Sequence, residues 1–276
     1  MGMTLDRGLR LLCLLLAGAL LAGCARLIAA PTLAGDAPRR LPQEGWARVL
    51  ARHVTPRGEV DFTALARDRA DLDRFVAWIY GTGPSSRPEQ FPARADQLAY
   101  HLNAHHALVL YMLLEHGAPA RLDRARRAEL FQLRQVQVDG RALSLQQYAD
   151  EVIRPLGDAR LRLALTTLTK GAPALRRQPW RAATLEADLD AQARAFFATL
   201  RNFQVDAAGR KVWVSELLRA HEAEFLAEAP SLAAWIGRLR GAPLPEDYAL
   251  DFIAQDWTLN APRPPLAVLS EDAPGP

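Results

Sequence analysis

His101 and His105 stand four residues apart in the run Ala99-Tyr-His-Leu-Asn-Ala-His-His-Ala-Leu108, so on a helix they share one face. Two imidazoles at that spacing can hold one metal ion. The residues between them are Leu, Asn and Ala, with no Glu to serve as general base, so the helical metalloprotease pattern is incomplete. His116, His221, Glu222 and Glu224 are the further side chains able to add a ligand. Packed or hydrogen-bonded rings are the simpler reading of both histidines. No metal and no cofactor is expected.

The candidate nucleophiles have similarly plain explanations. Ser144 and Ser215 stand where helices begin, and neither lies in a Gly-x-Ser-x-Gly elbow, so both read as N-caps. Thr166, Thr167 and Thr169 form a polar ridge in an apolar run, but a Thr nucleophile generally uses a free N-terminal amine. Lys170 precedes Gly171 and reads as part of an exposed turn. Asn103, Asp158, Asp256, Trp257 and Asn260 either line one polar pocket or form a buried hydrogen-bond network joining distant stretches, and the network is favoured. There is no phosphate loop, dinucleotide fingerprint or CxxC pair, and no residue is assigned a catalytic role.

These residues need elements to place them. Trp46, Val49, Leu50 and Val54 share a helical face, Pro56-Arg57-Gly58 is a turn, and a helix is expected from about Thr63 to Ile79. A loop of Gly, Pro and Ser separates it from a long helix spanning 94–116, apolar on nearly all sides in its second half and closed by Gly117. Val136 to Leu143 reads as a hairpin around Asp139-Gly140, and Ser144-Leu-Gln-Gln147 as a capping box. The apolar stretch 158–169 fits helix and strand equally. A helix over 182–202, a second hairpin around Asp206-Ala-Ala-Gly209, helices capped by Ser215 and Ser231, and an extended 248–253 follow. The expected fold is α+β: one helix-rich domain with two short β-hairpins and a small antiparallel sheet.

The chain has 276 residues, 50% hydrophobic and 24% charged, with a formal net charge of +3, values of an ordinary globular protein. The densest basic run, Arg121-Leu-Asp-Arg-Ala-Arg-Arg127, is interrupted by Asp123 and reads as a solvated face, so no nucleic-acid partner is expected. At the N-terminus Arg7 and Arg10 precede the apolar run Leu11–Leu21, which is too short to span a bilayer. It ends in Leu21-Ala22-Gly23-Cys24, which resembles the bacterial lipobox. The resemblance implies cleavage after Gly23 and acylation of Cys24, with two or more chains needed for stable anchoring. Ala25 is not an Asp, so the inner-membrane retention signal is missing, and the expected location is the outer membrane facing the periplasm. With Cys13 removed and Cys24 acylated, the mature chain has no thiol for a disulfide, a metal or catalysis.

Four stretches resemble the bacterial domain-of-unknown-function 547 family. They are Gly58-Glu-Val-Asp61, the Ala99–Leu108 run, the stretch Asp158–Leu175, and Asp256-Trp-Thr-Leu-Asn260. The family pattern in the second has Trp, Tyr and Asn where this chain has His101, His105 and His106, while Asn103 is kept. In the third, Arg162 stands at the family's His, and Thr167 and Ala172 stand at its two Cys positions. Thiol chemistry at those positions is therefore closed to this chain.

The sequence thus divides into a signal peptide over 1–23, a lipidated Cys24 with a flexible tether to 43, a domain over 44–260 and a disordered tail over 261–276. The expected role is a non-catalytic binding or scaffolding protein, partnered by membrane lipid and by other envelope proteins. The competing expectation is a hydrolase using His, carboxylate or metal. The candidate pocket, with no catalytic residue assigned in it, comprises His101, Asn103, His105, Asp158, Arg162, Thr167, Asp256 and Asn260.

Overall fold

A computed structural model describes residues 27–262 apart from 34, 36, 37 and 39. The signal peptide, Cys24 and the tail beyond 262 lie outside the described residues.

The first half packs around one helix. α1 (Gln43–His53), α2 (Phe62–Arg67) and α3 (Ala70–Gly81) precede the 22-residue α4 (Arg94–Glu115), in which every residue from Leu98 to Leu113 is buried. Trp46 of α1 stacks on Phe75 of α3 with ring centroids 5.2 Å apart. The single helix expected over 63–79 is two, because Asp68 leaves helical dihedrals while its N–H still closes α2 on the Ala64 carbonyl. α5 (Arg124–Arg127) is capped by Asp123 and runs on into a wider turn, Ala128–Leu133.

β1 (Gln135–Val138) and β2 (Arg141–Ser144) form the expected hairpin. Asp139 and Gly140 both take positive φ, 52° and 76°, which the tight two-residue turn requires. Their N–H groups bond the Ile79 and Tyr80 carbonyls at the end of α3. α6 (Leu145–Gln147) opens with the reciprocal Ser144–Gln147 capping box and continues as a wide turn over Tyr148–Ile153. The ambiguous stretch 158–169 holds a one-turn helix, α7 (Leu161–Ala164), followed by extended chain. Leu161 and Ala164 enter the larger core and Leu163 enters a second, smaller one.

The smaller core lies under α8 (Leu185–Phe197), β3 (Phe203–Asp206), β4 (Lys211–Ser215), α9 (Glu216–Ala220), α10 (Glu222–Leu226) and α11 (Leu232–Arg240). α8 stops at Phe197, short of the expected 202, where Asn202 turns its side-chain amide back onto the Phe196 carbonyl. The helix expected from Ser215 to Leu226 breaks at His221, whose ψ of 22° and φ of −124° leave the helical region. β5 (Ala249–Ile253) pairs parallel with β4, so the three-stranded sheet is mixed and the expected antiparallel sheet is corrected. α11 supplies the crossover that lets β5 run in the same direction as β4.

The closing motif returns to the first core. Thr258 and Leu259 bridge Arg121 and Thr169, and the Asn260 N–H bonds the Leu168 carbonyl. Val60 donates to the Asn260 carbonyl, and Asn260 Nδ2 donates to Gly58 at 2.9 Å. The segment expected as a tether is docked at its described start. Leu27 bridges Gln135, Ile28 is buried, and the Tyr80 and Tyr111 hydroxyls donate to the Ile28 and Ala29 carbonyls at 2.8 and 3.0 Å.

Gly171 is where the third and fourth motifs cross. A Cβ there falls 2.5 Å from the Asp256 backbone nitrogen and 2.8 Å from Gln255 Cγ. Gly171→Ala is expected to destabilise by about 1–3 kcal/mol, because the obstacle is backbone that must shift. Thermal unfolding of the purified domain checks this, and an unchanged Tm contradicts it.

Candidate functional site

The residues expected to line one pocket fall into several separate places. Asn103 lies on α4 with all its amide bonding used. Its Oδ1 accepts from Trp46 Nε1 and from the Trp180 N–H, each at 3.0 Å. Its Nδ2 donates to the Ala99 and Trp180 carbonyls at 2.7 and 2.9 Å. One side chain thereby clamps α1 and the segment before α8 onto α4. Above it lies a cleft of about 340 Å³ whose lining includes Trp46, Phe75, Phe91, Tyr100 and Trp180. The clamp's partners carry a sequence signal that was missed: Trp46 and Trp180 bring indole and backbone donors that, buried, need an acceptor.

The second place is a buried polar belt on the opposite neighbours of α4. His101 Nδ1 is 2.8 Å from the Tyr148 hydroxyl, and His105 stacks on the same Tyr148 ring at 6.2 Å. His106 Nε2 is 3.0 Å from the Ala164 carbonyl, and His105 Nδ1 is buried without a partner. Burial pushes the pKa of His101 down to about 4, against a small opposing pull from Asp139. Burial also takes His105 down to about 3, helped by His106 and Arg162, and His106 to about 4, against its bond to Ala164. All three rings are therefore neutral at pH 7.

Arg162, on α7, adjoins this belt. It is 9% exposed and bonds Glu224 through Nε and Nη2 at 2.9 and 2.7 Å, with Asp150 at 2.8 Å from Nη2. Burial opposes its charge, but the two carboxylates outweigh that and raise its pKa above the ordinary guanidinium value. The same turn, Tyr148–Ile153, thus holds His101 through Tyr148 and Arg162 through Asp150. Of the residues singled out as spare metal ligands, Glu224 instead pairs with Arg162, and His221 Nδ1 lies 3.6 Å from Glu224. Among the described residues no three His, Cys, Asp or Glu side chains are arranged to hold a metal ion.

The remaining residues lie elsewhere. Thr167 is half-buried and its hydroxyl is 3.0 Å from that of Thr169. No hydrogen bond or ion pair joins any two of His101, Arg162 and Thr167. Leu168, next to Thr167, takes a φ of 57°, a left-handed conformation that costs a branched side chain on the order of 1–2 kcal/mol. The Thr166 hydroxyl accepts its N–H and Asn260 donates to its carbonyl, which hold that shape. Asp158 bonds Arg160, which also reaches Glu186 and Asp190, at the edge of a charged cleft of about 550 Å³. Asp256 accepts from the Thr258 N–H, and Asn260 ties Gly58, as described. Of the two alternatives for these polar residues, the network describes Asn103 and Asn260, whose side chains bond distant stretches, whereas the Asp256 side chain bonds only Thr258 two residues on.

A family model described as "Protein of unknown function, DUF547" matches residues 88–197. Over those residues the chain is similar to that family, and the match spans α4, Arg162, the Thr ridge and α8. No curated protein and no solved structure matches the chain.

Asn103→Ala leaves Trp46 Nε1 and both Trp180 backbone groups unpaired in the core. A loss of about 3 kcal/mol and a Tm lower by roughly 10 °C are expected. Scanning calorimetry measures it, and a loss below about 1 kcal/mol contradicts the clamp.

The histidine belt predicts a second effect. The three folded pKa values lie below the unfolded value near 6.5, so the stability they confer is full above about pH 6.5. It is lost as pH falls toward 4, because the unfolded chain binds roughly three more protons near pH 5. Denaturant midpoints measured from pH 7.5 to 5 should fall, and His105→Phe should flatten that fall. An equally steep fall in the variant contradicts the assignment.

Proposed function

We propose that this is a lipid-anchored cell-envelope protein whose domain binds or scaffolds rather than catalyses. The anchor is an acylated Cys24, and the location is the outer membrane facing the periplasm. The observation that carries the non-catalytic reading is the state of Arg162. At the position where the family pattern has His, this chain places a guanidinium held between Glu224 and Asp150. A guanidinium stays protonated at neutral pH and cannot serve as a general base. Thr167 and Ala172, at the Cys positions, offer no thiolate, and Asn103 is committed to the Trp clamp. The aromatic cleft above Asn103 has the volume of a small-ligand site, which supports binding.

The competing reading, a hydrolase without a thiol, draws on His105, whose Nδ1 is buried and unpartnered. Ester and peptide hydrolysis by the purified protein, with metal analysis of the same sample, separates the two. No turnover above that of an Arg162→Met, Thr167→Val variant is expected. Turnover that falls at least tenfold in His105→Ala while Tm holds, or stoichiometric zinc lost in that variant, overturns the non-catalytic reading.

A further inference from the structure

We propose that the surface around Leu27 and Leu133, which follows the exposed arginines of α5 in the chain, lies against an anionic lipid bilayer. This orientation rests on the reading of Cys24 as acylated. Only Ala25 and Arg26 separate Cys24 from Leu27, so at most about 11 Å of extended chain lies between the acylated residue and Leu27. Leu27 is not free to wander. It bridges Gln135, the Ile28 N–H bonds the Gln135 carbonyl at 2.8 Å, and Tyr80 and Tyr111 hold the carbonyls that follow. The acyl chains must therefore enter the bilayer beside Gln135.

The surface around that point suits a membrane. Leu27 and Leu133, two residues before Gln135, are large apolar side chains left 51% and 48% exposed. The same helical segment carries Arg124 and Arg126, both exposed and without a carboxylate partner among the described residues. Its acidic groups are spent: Asp123 caps α5 through the Arg126 N–H, and Glu129 pairs with Arg134 at 2.6 Å. Exposed apolar side chains, with arginines earlier in the same segment that have no carboxylate partner among the described residues, match the acyl boundary and the anionic headgroups of a bilayer surface. No helix among the described residues is long and apolar enough to cross a membrane, so contact at this face is superficial.

The acylated mature chain has no free thiol, which makes a single introduced cysteine a clean probe. Full-length Leu133→Cys, acylated in cells, would be labelled with an environment-sensitive fluorophore. It would then be placed on protein-free vesicles of phosphatidylglycerol and phosphatidylethanolamine containing doxyl-labelled lipid. Leu200→Cys, at the most exposed leucine among the described residues (75%) and beyond the end of α8, is the comparison. The label at 133 is expected to shift to the blue and to be quenched at least threefold more than the label at 200. Arg124→Glu with Arg126→Glu should lower that quenching while leaving the protein on the vesicles.

Equal quenching at the two positions, in protein that floats with the vesicles, overturns the orientation and leaves the anchor standing. Shielding of position 133 in native membranes but not in protein-free vesicles also overturns it, in favour of a protein partner. Protein that fails to float, with an unmodified Cys24 by mass spectrometry, sinks the anchor reading and the orientation with it.

Discussion

A helix buried on every side has no solvent to which its polar side chains can turn. From Leu98 to Leu113 that is the condition of α4, and it governs the architecture around it. Asn103 and three histidines lie within the stretch, and each must be paired or kept neutral at a cost in free energy. Asn103 meets the demand with four bonds that draw in two other parts of the chain. The histidines meet it unevenly, through Tyr148 and the Ala164 carbonyl, with His105 Nδ1 left over. Residues that looked like displayed chemistry are, in this setting, the polar joints of a core.

Arg162 carries the same logic to a full charge. A buried guanidinium is tolerable only where carboxylates meet its fork, and Glu224 supplies a two-point contact from 62 residues away. That bond ties α7, at the seam of the two cores, to α10 in the smaller one. α7 is only one turn long, yet Leu161 and Leu163 enter different cores, so the ion pair braces the seam where the two packings meet. A neutral imidazole at the same place would not need these carboxylates.

The elements most legible in the sequence were those whose determinants are local. Asp139-Gly140 dictates a turn with two positive φ angles, Ser144-x-x-Gln147 dictates a cap, and the run ending at Gly117 dictates a long buried helix. What stayed hidden depends on partners distant in the chain. Nothing in the spacing of 249–253 announces a parallel neighbour beyond a crossover helix. The break at Asp68 belongs to one residue's dihedrals, and apolar periodicity passes straight over it. At the site, the sequence identified Asn103, Arg162 and the histidines as unusual. It did not supply Trp46, Trp180, Tyr148 or Asp150, because a bond between side chains 47 or 57 residues apart leaves no mark on either neighbourhood.

Asn260 reaches Gly58 across 202 positions of chain, and that bond bears on the order in which the molecule can be completed. A polypeptide is made from its N-terminus, so the turn at Gly58–Val60 and the extended chain at Leu168–Lys170 exist long before the strand that joins them. Until residues 256–260 emerge, the larger core lacks Leu259 and has unpaired backbone groups along one edge. Local helices can form early, but the last long-range closure pays its loop entropy late, which is the property of a slow final step in folding. The closing motif is thus a latch that is set only when nearly all of the domain is available to fold.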